Sequence, residues 1–121
     1  VFTSSTAGEI AEAAGSAYTS SKHALLGLMR SAAVDAGAYN ITSNAVLPGW
    51  VRTAMAERSA QAEASERGIS VDEIWKERAS LYPPGRVATV DEVADVIAFL
   101  ASDEASGVSG QAITVALGGL T

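Results

Sequence analysis

Short apolar segments alternate along this chain with longer segments of helical periodicity, and this alternation constrains the fold more than any other feature. The apolar segments are VFT at residues 1–3, the stretch 41–47, and QAITVAL at residues 111–117. Small, proline or glycine residues follow each of them. Strands that alternate with helices predict a parallel sheet, so the chain is expected to form an α/β fold.

The helical segments carry recognisable beginnings and ends. The segment 16–36 has no proline and repeats apolar residues at helical spacing. We expect Gly37 to end it, because glycine accepts the left-handed conformation of a helix C-terminus. Residues 54–82 predict a helical region interrupted at Gly68. Two capping boxes predict further helix starts, one formed by Ser70 with Glu73 and the other by Thr89 with Glu92.

Composition excludes several classes of protein. The 121 residues are 48% hydrophobic and have a formal net charge of −6, which predicts one soluble globular unit with no nucleic-acid-binding surface. The absence of cysteine excludes disulfides and thiolate metal sites and fits a cytoplasmic location. No apolar run approaches the roughly 18 residues that a membrane span needs, and no signal peptide is recognisable. We predict neither a membrane segment nor a metal site.

One pair of side chains suggests chemistry. Tyr18 and Lys22 are four residues apart on the predicted helix 16–36, so both side chains can approach one small molecule. An ammonium close to a phenol stabilises the phenolate and makes the phenol a better proton shuttle. The spacing alone is not specific, since a solvated tyrosine–lysine pair on a helix surface has the same pattern.

The surrounding motifs are more specific. SSTAG follows the first strand, Tyr18-x-x-x-Lys22 follows Ser5 by 13 residues, LPGWVRT ends the second strand, and FLASDEASGVSGQAITV lies near the C-terminus. In this order they resemble the C-terminal half of the classical short-chain dehydrogenase/reductase family. The resemblance implies a Rossmann-like, doubly wound parallel sheet of which only the C-terminal portion is present. Residues 1–121 are then expected to be the catalytic half of a single domain, with the N-terminal dinucleotide-binding half absent from the sequence.

The resemblance also implies an NAD(P)-dependent oxidoreductase that interconverts a secondary alcohol and a ketone. Tyr18 would be the general acid/base, Lys22 would bind the nicotinamide ribose and assist the phenol, and Ser5 would hydrogen-bond the reacting oxygen. The cofactor would also contact Tyr18, Pro48, Gly49, Val51 and Thr53. Trp50 and Met55 are expected to line the substrate-binding site. No glycine-rich phosphate loop is present, so the choice between NAD and NADP stays open.

Other interpretations of these residues stay open. Ser5 also fits a strand terminator, and Thr53 also fits a helix N-cap. The resemblance places Trp50, Met55, Trp75 and Tyr82 in or beside a substrate lid, where apolar side chains equally fit the core of the lid. The family implies a small-molecule alcohol or ketone as substrate and a homo-oligomer, either a dimer or a tetramer. The alternative function is a non-catalytic fragment or oligomerisation module that packs through the apolar helix 16–36.

Overall fold

A parallel sheet of three strands forms the centre of the computed structural model, which describes residues 1–11, 13 and 15–119. The strands are β1 (Phe2–Thr3), β2 (Ala45–Pro48) and β3 (Ala112–Val115), in the order β1-β2-β3. Phe2 pairs with Ala45, which in turn pairs with Ala112. The predicted parallel α/β sheet is confirmed, although β2 begins at Ala45 rather than at residue 41.

The described ranges contain four α-helices: α1 (Ser16–Ala36), α2 (Ala54–Arg67), α3 (Val71–Ser80) and α4 (Val90–Leu100). Three single 3-10 turns accompany them, at Thr6–Gly8, Gly37–Tyr39 and Asp103–Ala105. No helix in the described ranges is both long enough and apolar enough to cross a membrane.

The predicted helix boundaries are largely confirmed. Gly68 interrupts the region 54–82 in the left-handed conformation, with a φ of 66°. Both capping boxes form, at the starts of α3 and α4. The predicted end of α1 is confirmed, since the helix ends at Ala36 with Gly37 as its C-cap. The expected left-handed conformation of Gly37 is wrong, because this residue keeps a right-handed helical conformation. The chain tightens into the turn Gly37–Tyr39, and Asn40, a residue that tolerates the left-handed region, adopts it instead.

Strand β2 is buried on both faces, as expected of the middle strand in a parallel sheet. Ala45 and Leu47 pack against Leu26 and Met29 of α1. Because side chains alternate along a strand, Val46 points to the opposite face, and it is also inaccessible to solvent. Only one face of α1 is buried among the described residues, since its apolar side chains at positions 28 and 34 are exposed.

Helices α2 and α3 pack together as a pair that we call the α2–α3 hairpin (residues 54–80). Three alanines of α2 at four-residue spacing, Ala56, Ala60 and Ala64, are buried against Ile74 and Trp75 of α3. Such small side chains allow the two helices to approach closely. The hairpin therefore has a core of its own, separate from the core beneath the sheet.

A buried asparagine connects β2 to the loop before β3. The side-chain amide of Asn44 donates to the carbonyl oxygen of Val108 at 2.7 Å, and its carbonyl oxygen accepts from the amide of Gln111 at 3.0 Å. Asn44 is almost completely inaccessible to solvent. Its two hydrogen bonds satisfy backbone groups of a loop that lies outside the strands, and they set where β3 begins.

Replacing Asn44 with alanine should therefore destabilise the protein. Two backbone groups would lose their partners, which costs about 2–4 kcal/mol in the free energy of unfolding. Chemical denaturation of the wild type and of Asn44→Ala measures this difference. Gln111→Ala is the matched control, because it alters an exposed side chain of the same loop and should change stability by less than about 0.5 kcal/mol. Equal losses in the two variants would contradict the assignment.

The start of α4 should make stability depend on pH. Hydrogen bonds from the Arg86 guanidinium, and then from the Thr89 backbone amide, lower the pKa of the Glu92 carboxyl from 4.5 to about 2. Since the folded value lies below the unfolded one, ionised Glu92 stabilises the fold above pH 4.5. This contribution is lost as the pH falls through about 2.

Glu92→Gln keeps a capping side chain but removes the charge. We expect the wild type to have the higher denaturation midpoint at pH 7, and the two midpoints to converge as the pH approaches about 2. Midpoints measured across this range provide the test. A difference that stays constant down to about pH 2 would show that the charge of Glu92 does not stabilise α4.

Candidate active site

A cavity of about 570 Å³ opens where β1 and β2 end. Its lining includes residues that follow β1, the first turns of α1, the turn after β2, and parts of α2 and α4. All nine residues that the sequence singled out meet here: Ser5, Tyr18, Lys22, Pro48, Gly49, Trp50, Val51, Thr53 and Met55. The carboxyl ends of parallel strands are where α/β sheets bind ligands, so this cavity is the candidate site.

The two serines after β1 do different things. Ser4 is buried, and its hydroxyl donates to the carbonyl oxygen of Lys22 at 3.0 Å, which joins the strand end to α1. The hydroxyl oxygen of Ser5 accepts from the amide of Ala7 at 3.2 Å and caps the turn Thr6–Gly8. A hydroxyl that accepts one bond still has its own hydrogen to donate. Ser5 therefore ends the strand and also presents a donor to the cavity.

Gly8 lies where the turn Thr6–Gly8 comes close to α1, and a side chain at this position would not fit. A Cβ atom there would lie 2.7 Å from the Ser4 hydroxyl and 3.1 Å from the Lys22 carbonyl oxygen. Without that atom, the turn approaches α1 closely enough for Ser5 and Lys22 to line one cavity.

Tyr18 and Lys22 lie beside each other at the start of α1. The ammonium nitrogen of Lys22 is 5.4 Å from the centroid of the Tyr18 ring and donates to the carbonyl oxygen of Thr3 at 3.1 Å. An ammonium has three N–H donors, so two remain available beyond the bond to Thr3 among the described residues. Tyr18 is 40% exposed. The pair therefore presents a phenol and two ammonium donors to the cavity.

The turn after β2 is held by hydrogen bonds from several directions. The amide of Gly49 donates to Val115 of β3 at 3.1 Å, and the amide of Trp50 donates to the Tyr82 hydroxyl at 2.7 Å. The carbonyl oxygen of Trp50 accepts from Ala88 at 3.2 Å. These bonds fix the backbone on which one wall of the cavity depends.

The N-cap interpretation of Thr53 is confirmed. Its hydroxyl oxygen accepts from the amide of Ala56 at 3.2 Å at the start of α2. Thr53 also lines the cavity, and its hydroxyl hydrogen stays available for a ligand. Trp50 and Met55 line the cavity as well, whereas Trp75 is buried in the core of the α2–α3 hairpin.

Tyr82, which the sequence placed beside a substrate lid, lines the cavity, and its contact with the turn after β2 was not predicted. It is 3% exposed, and its ring lies between two glycines. A Cβ atom at Gly49 would lie 2.6 Å from its hydroxyl oxygen, and one at Gly119 would collide with the ring. The glycines themselves were the available signal, since each stands where a backbone is approached closely.

Two further groups were also missed. Four residues of α4 also line the cavity: Val90, Val93, Ala94 and Ile97. Arg78 of α3 is buried although it is charged, and it contacts the ring of Trp50. In the part of the chain that the structure describes, no three histidine, aspartate or glutamate side chains are placed to hold a metal ion.

Known proteins resemble this chain over nearly its whole length. A family model described as enoyl-(acyl carrier protein) reductase matches residues 1–121. A putative ketoacyl reductase of the monensin polyketide synthase from Streptomyces virginiae is 38% identical over 116 residues, which are 96% of this chain and 44% of that protein.

Solved structures share the fold. A short-chain dehydrogenase family protein from Francisella tularensis matches with a TM-score of 0.94 and 35% identity, over 97% of this chain and 48% of that one. A variant of actinorhodin polyketide ketoreductase, solved with NADPH, matches with a TM-score of 0.89 and 32% identity, over 98% of this chain and 45% of that one. In each comparison this chain spans less than half the length of the other protein.

The hydrogen bond from Trp50 to Tyr82 should protect the Trp50 amide from solvent. Tyr82→Phe keeps the ring between the glycines but removes the acceptor, so hydrogen exchange at this amide should become about tenfold faster. Hydrogen exchange followed by NMR gives the rate for this single residue. Tyr39→Phe, a change at an exposed tyrosine, should leave the rate unchanged. An unaltered rate in Tyr82→Phe would mean that other contacts hold the turn.

Proposed function

This chain belongs to the short-chain dehydrogenase/reductase family, and from that premise we propose that its cavity interconverts a secondary alcohol and a ketone by hydride transfer. The observation that carries the proposal is the convergence of three groups from two elements. Ser5 comes from the end of β1, and Tyr18 and Lys22 come from the first turns of α1; all three line one cavity. Such a set can give a proton to a single oxygen atom or take one from it, and can hydrogen-bond that oxygen at the same time.

Tyr18 is proposed as the general acid/base. During reduction its phenol gives a proton to the carbonyl oxygen as that oxygen becomes an alcohol, and during oxidation it takes the proton back. The ammonium of Lys22 lies beside this phenol, 5.4 Å from the centroid of its ring. The partial exposure of Tyr18 supports this role, because the phenol can reach a substrate and can recover its proton from water.

Lys22 is also proposed to bind a nicotinamide cofactor, which supplies or accepts the hydride when it is bound. Its two remaining N–H donors fit the paired hydroxyls of a ribose. Gly49, and the apolar Pro48 and Val51, offer a surface for a flat ring, and Thr53 offers a hydroxyl for a carboxamide. The donor set therefore fits the cofactor. It does not distinguish NAD from NADP.

Ser5 is proposed to hydrogen-bond the reacting oxygen. Its hydroxyl hydrogen is not used by the turn that it caps, and the cap fixes the side chain in place. A donor held ready where negative charge develops stabilises the transition state without having to reorganise. Trp50 and Met55 would contact the carbon substituents of the substrate, which favours a substrate with some apolar character.

The activity is proposed for a complete domain of which residues 1–121 are the C-terminal, catalytic half. The chain spans 44–48% of the relatives and structures described above, which supports this division. We also propose a homo-oligomer, in which α1 packs against a second subunit. Leu28 and Val34 are exposed on α1, Val34 by 81%, and the open surface at Gly27 leaves room for close packing.

The description of the matching family model raises a second candidate, the reduction of an enoyl C=C bond. The two reactions are separable with one pair of substrates. A β-ketoacyl thioester tests carbonyl reduction, and the matching enoyl thioester tests reduction of the C=C bond. Ser5 and Tyr18 form a pair suited to a single oxygen, so we expect turnover of the keto compound.

Tyr18→Phe in the full-length protein should abolish turnover almost completely. Loss of the proton donor is expected to lower kcat by about a hundredfold to ten-thousandfold. Cofactor affinity should stay nearly unchanged, because Lys22 and the turn after β2 are intact. Steady-state kinetics and cofactor titration measure the two effects separately.

Tyr39→Phe is the matched control, since it removes a hydroxyl from an exposed tyrosine just beyond the same helix. It should leave both quantities unchanged. Undiminished turnover in Tyr18→Phe would rule out this tyrosine as the acid/base.

A further inference from the structure

Arg78 is the most unusual side chain of the α2–α3 hairpin, because it is charged but only 5% exposed. Its guanidinium donates to the carbonyl oxygen of Ala56 at 3.2 Å, to the Ser59 hydroxyl at 3.3 Å and to the Glu63 carboxylate at 2.9 Å. Every one of these acceptors belongs to α2. A buried charge is tolerated only when it is paired and hydrogen-bonded, and Arg78 meets this condition by joining α3 to α2.

The same guanidinium contacts both tryptophans of the chain. Its central carbon lies 3.7 Å from the ring centroid of Trp50 and 5.0 Å from that of Trp75. The two indoles meet edge to face, with their centroids 6.4 Å apart. Trp75 is further held by its indole N–H, which donates to Glu57 at 3.0 Å. Arg78 and the two rings therefore form one packed group, with the cation against an aromatic face.

Trp50 is the member of this group that also lines the cavity. Its backbone is held from one side, where its amide donates to Tyr82. Its ring is held separately, by the guanidinium of Arg78 that lies against it. A large aromatic side chain with both its backbone and its ring fixed forms a rigid wall, and the shape of a rigid wall decides what fits beside it.

We propose that Arg78 is a positioning residue that fixes the indole of Trp50 as a wall of the substrate cavity. Through this contact it limits the size of the apolar group that the cavity accepts next to the reacting carbon of a substrate. The inference rests on the proposed carbonyl reduction and adds to it the residue that controls substrate size. Arginine suits this role better than lysine, because its planar guanidinium stacks on an aromatic ring while its edges donate to several acceptors.

The test compares two ketones in one enzyme preparation. The probes are butanone and benzylacetone, and the quantity is the ratio of their kcat/KM values in the full-length protein. This ratio does not depend on the fraction of enzyme that is folded, so a purely structural role of Arg78 would not change it. Arg78→Met should change the ratio by about fivefold or more, since apolar pockets discriminate on that scale. Arg78→Lys should change the ratio less than Arg78→Met does, but should not keep the wild-type ratio.

Arg67→Met is the matched control. Arg67 lies on the same hairpin and shares the acceptor Glu63 with Arg78, but its partners are carboxylates at the surface. It should leave the ratio unchanged. The double variant Trp50→Ala/Arg78→Met should show the ratio of Trp50→Ala alone, because a residue that acts through Trp50 has no effect once Trp50 is absent.

The outcomes distinguish the positioning role of Arg78 from the proposed carbonyl reduction. A wild-type enzyme that reduces neither these ketones nor the β-ketoacyl thioester would overturn the proposed function and, with it, the role of Trp50 as a substrate wall. Turnover of the thioester alone would keep the proposed function and would overturn Trp50 as a wall that accommodates the apolar groups of these two ketones. A wild-type enzyme that reduces both, with a ratio that Arg78→Met leaves unchanged, would overturn the positioning role alone. The positioning role is also overturned if Arg78→Met changes the ratio equally in the Trp50→Ala background.

A second measurement does not require activity. Trp75→Phe leaves Trp50 as the only tryptophan of residues 1–121. Subtracting the signal of the Trp50→Phe/Trp75→Phe protein isolates the fluorescence of Trp50 from that of any tryptophan elsewhere in the full-length protein. In this background Arg78→Met should at least double the acrylamide quenching constant, because the indole is released from the guanidinium. Arg67→Met should not alter it. A quenching constant that is the same in all three proteins would show that Arg78 does not hold Trp50.

Discussion

Lys22 is bonded to the end of β1 twice, and the candidate site depends on this double attachment. Its carbonyl oxygen accepts from Ser4, and its ammonium donates to Thr3. The backbone bond sets the position of α1 relative to the sheet, and the side-chain bond sets the direction of the ammonium. Because Tyr18 lies one turn earlier on the same helix, its distance from Ser5 follows from the same two bonds. The proposed catalytic arrangement thus depends on the joint between a strand and a helix.

The wall of the cavity that the turn after β2 forms is held in a different way. The turn that follows β2 carries only an isolated β-bridge, between Val51 and Ala88, and its amides find partners in β3 and in Tyr82. The α2–α3 hairpin then packs over this turn through Trp50 and Arg78. The site therefore combines a face that belongs to the sheet with a face that is assembled from a separate small core. The face that belongs to the sheet suits reaction chemistry that is common to a family. The face formed by the α2–α3 hairpin suits residues that differ between family members with different substrates.

The parts of this structure that the sequence predicted are those that depend on neighbours along the chain. Helix α1, the capping boxes, the break at Gly68 and the Tyr18–Lys22 pair all follow from local spacing. The roles of Tyr82 and Arg78 depend instead on residues distant in sequence, so no local pattern indicates them. The residue that adopts the left-handed conformation after α1 was predicted wrongly for a related reason: the sequence allows both Gly37 and Asn40 to adopt it, and local propensity does not choose between them.

Tyr82 carries a consequence for the far end of the chain. Its ring leaves no space for a side chain at Gly119, while its hydroxyl holds the amide of Trp50. Any larger residue at position 119 would displace the ring and would alter the cavity through the turn after β2. The segment that follows β3 is therefore mechanically coupled to the candidate site, and a substitution there would change the shape of the cavity from a position outside it.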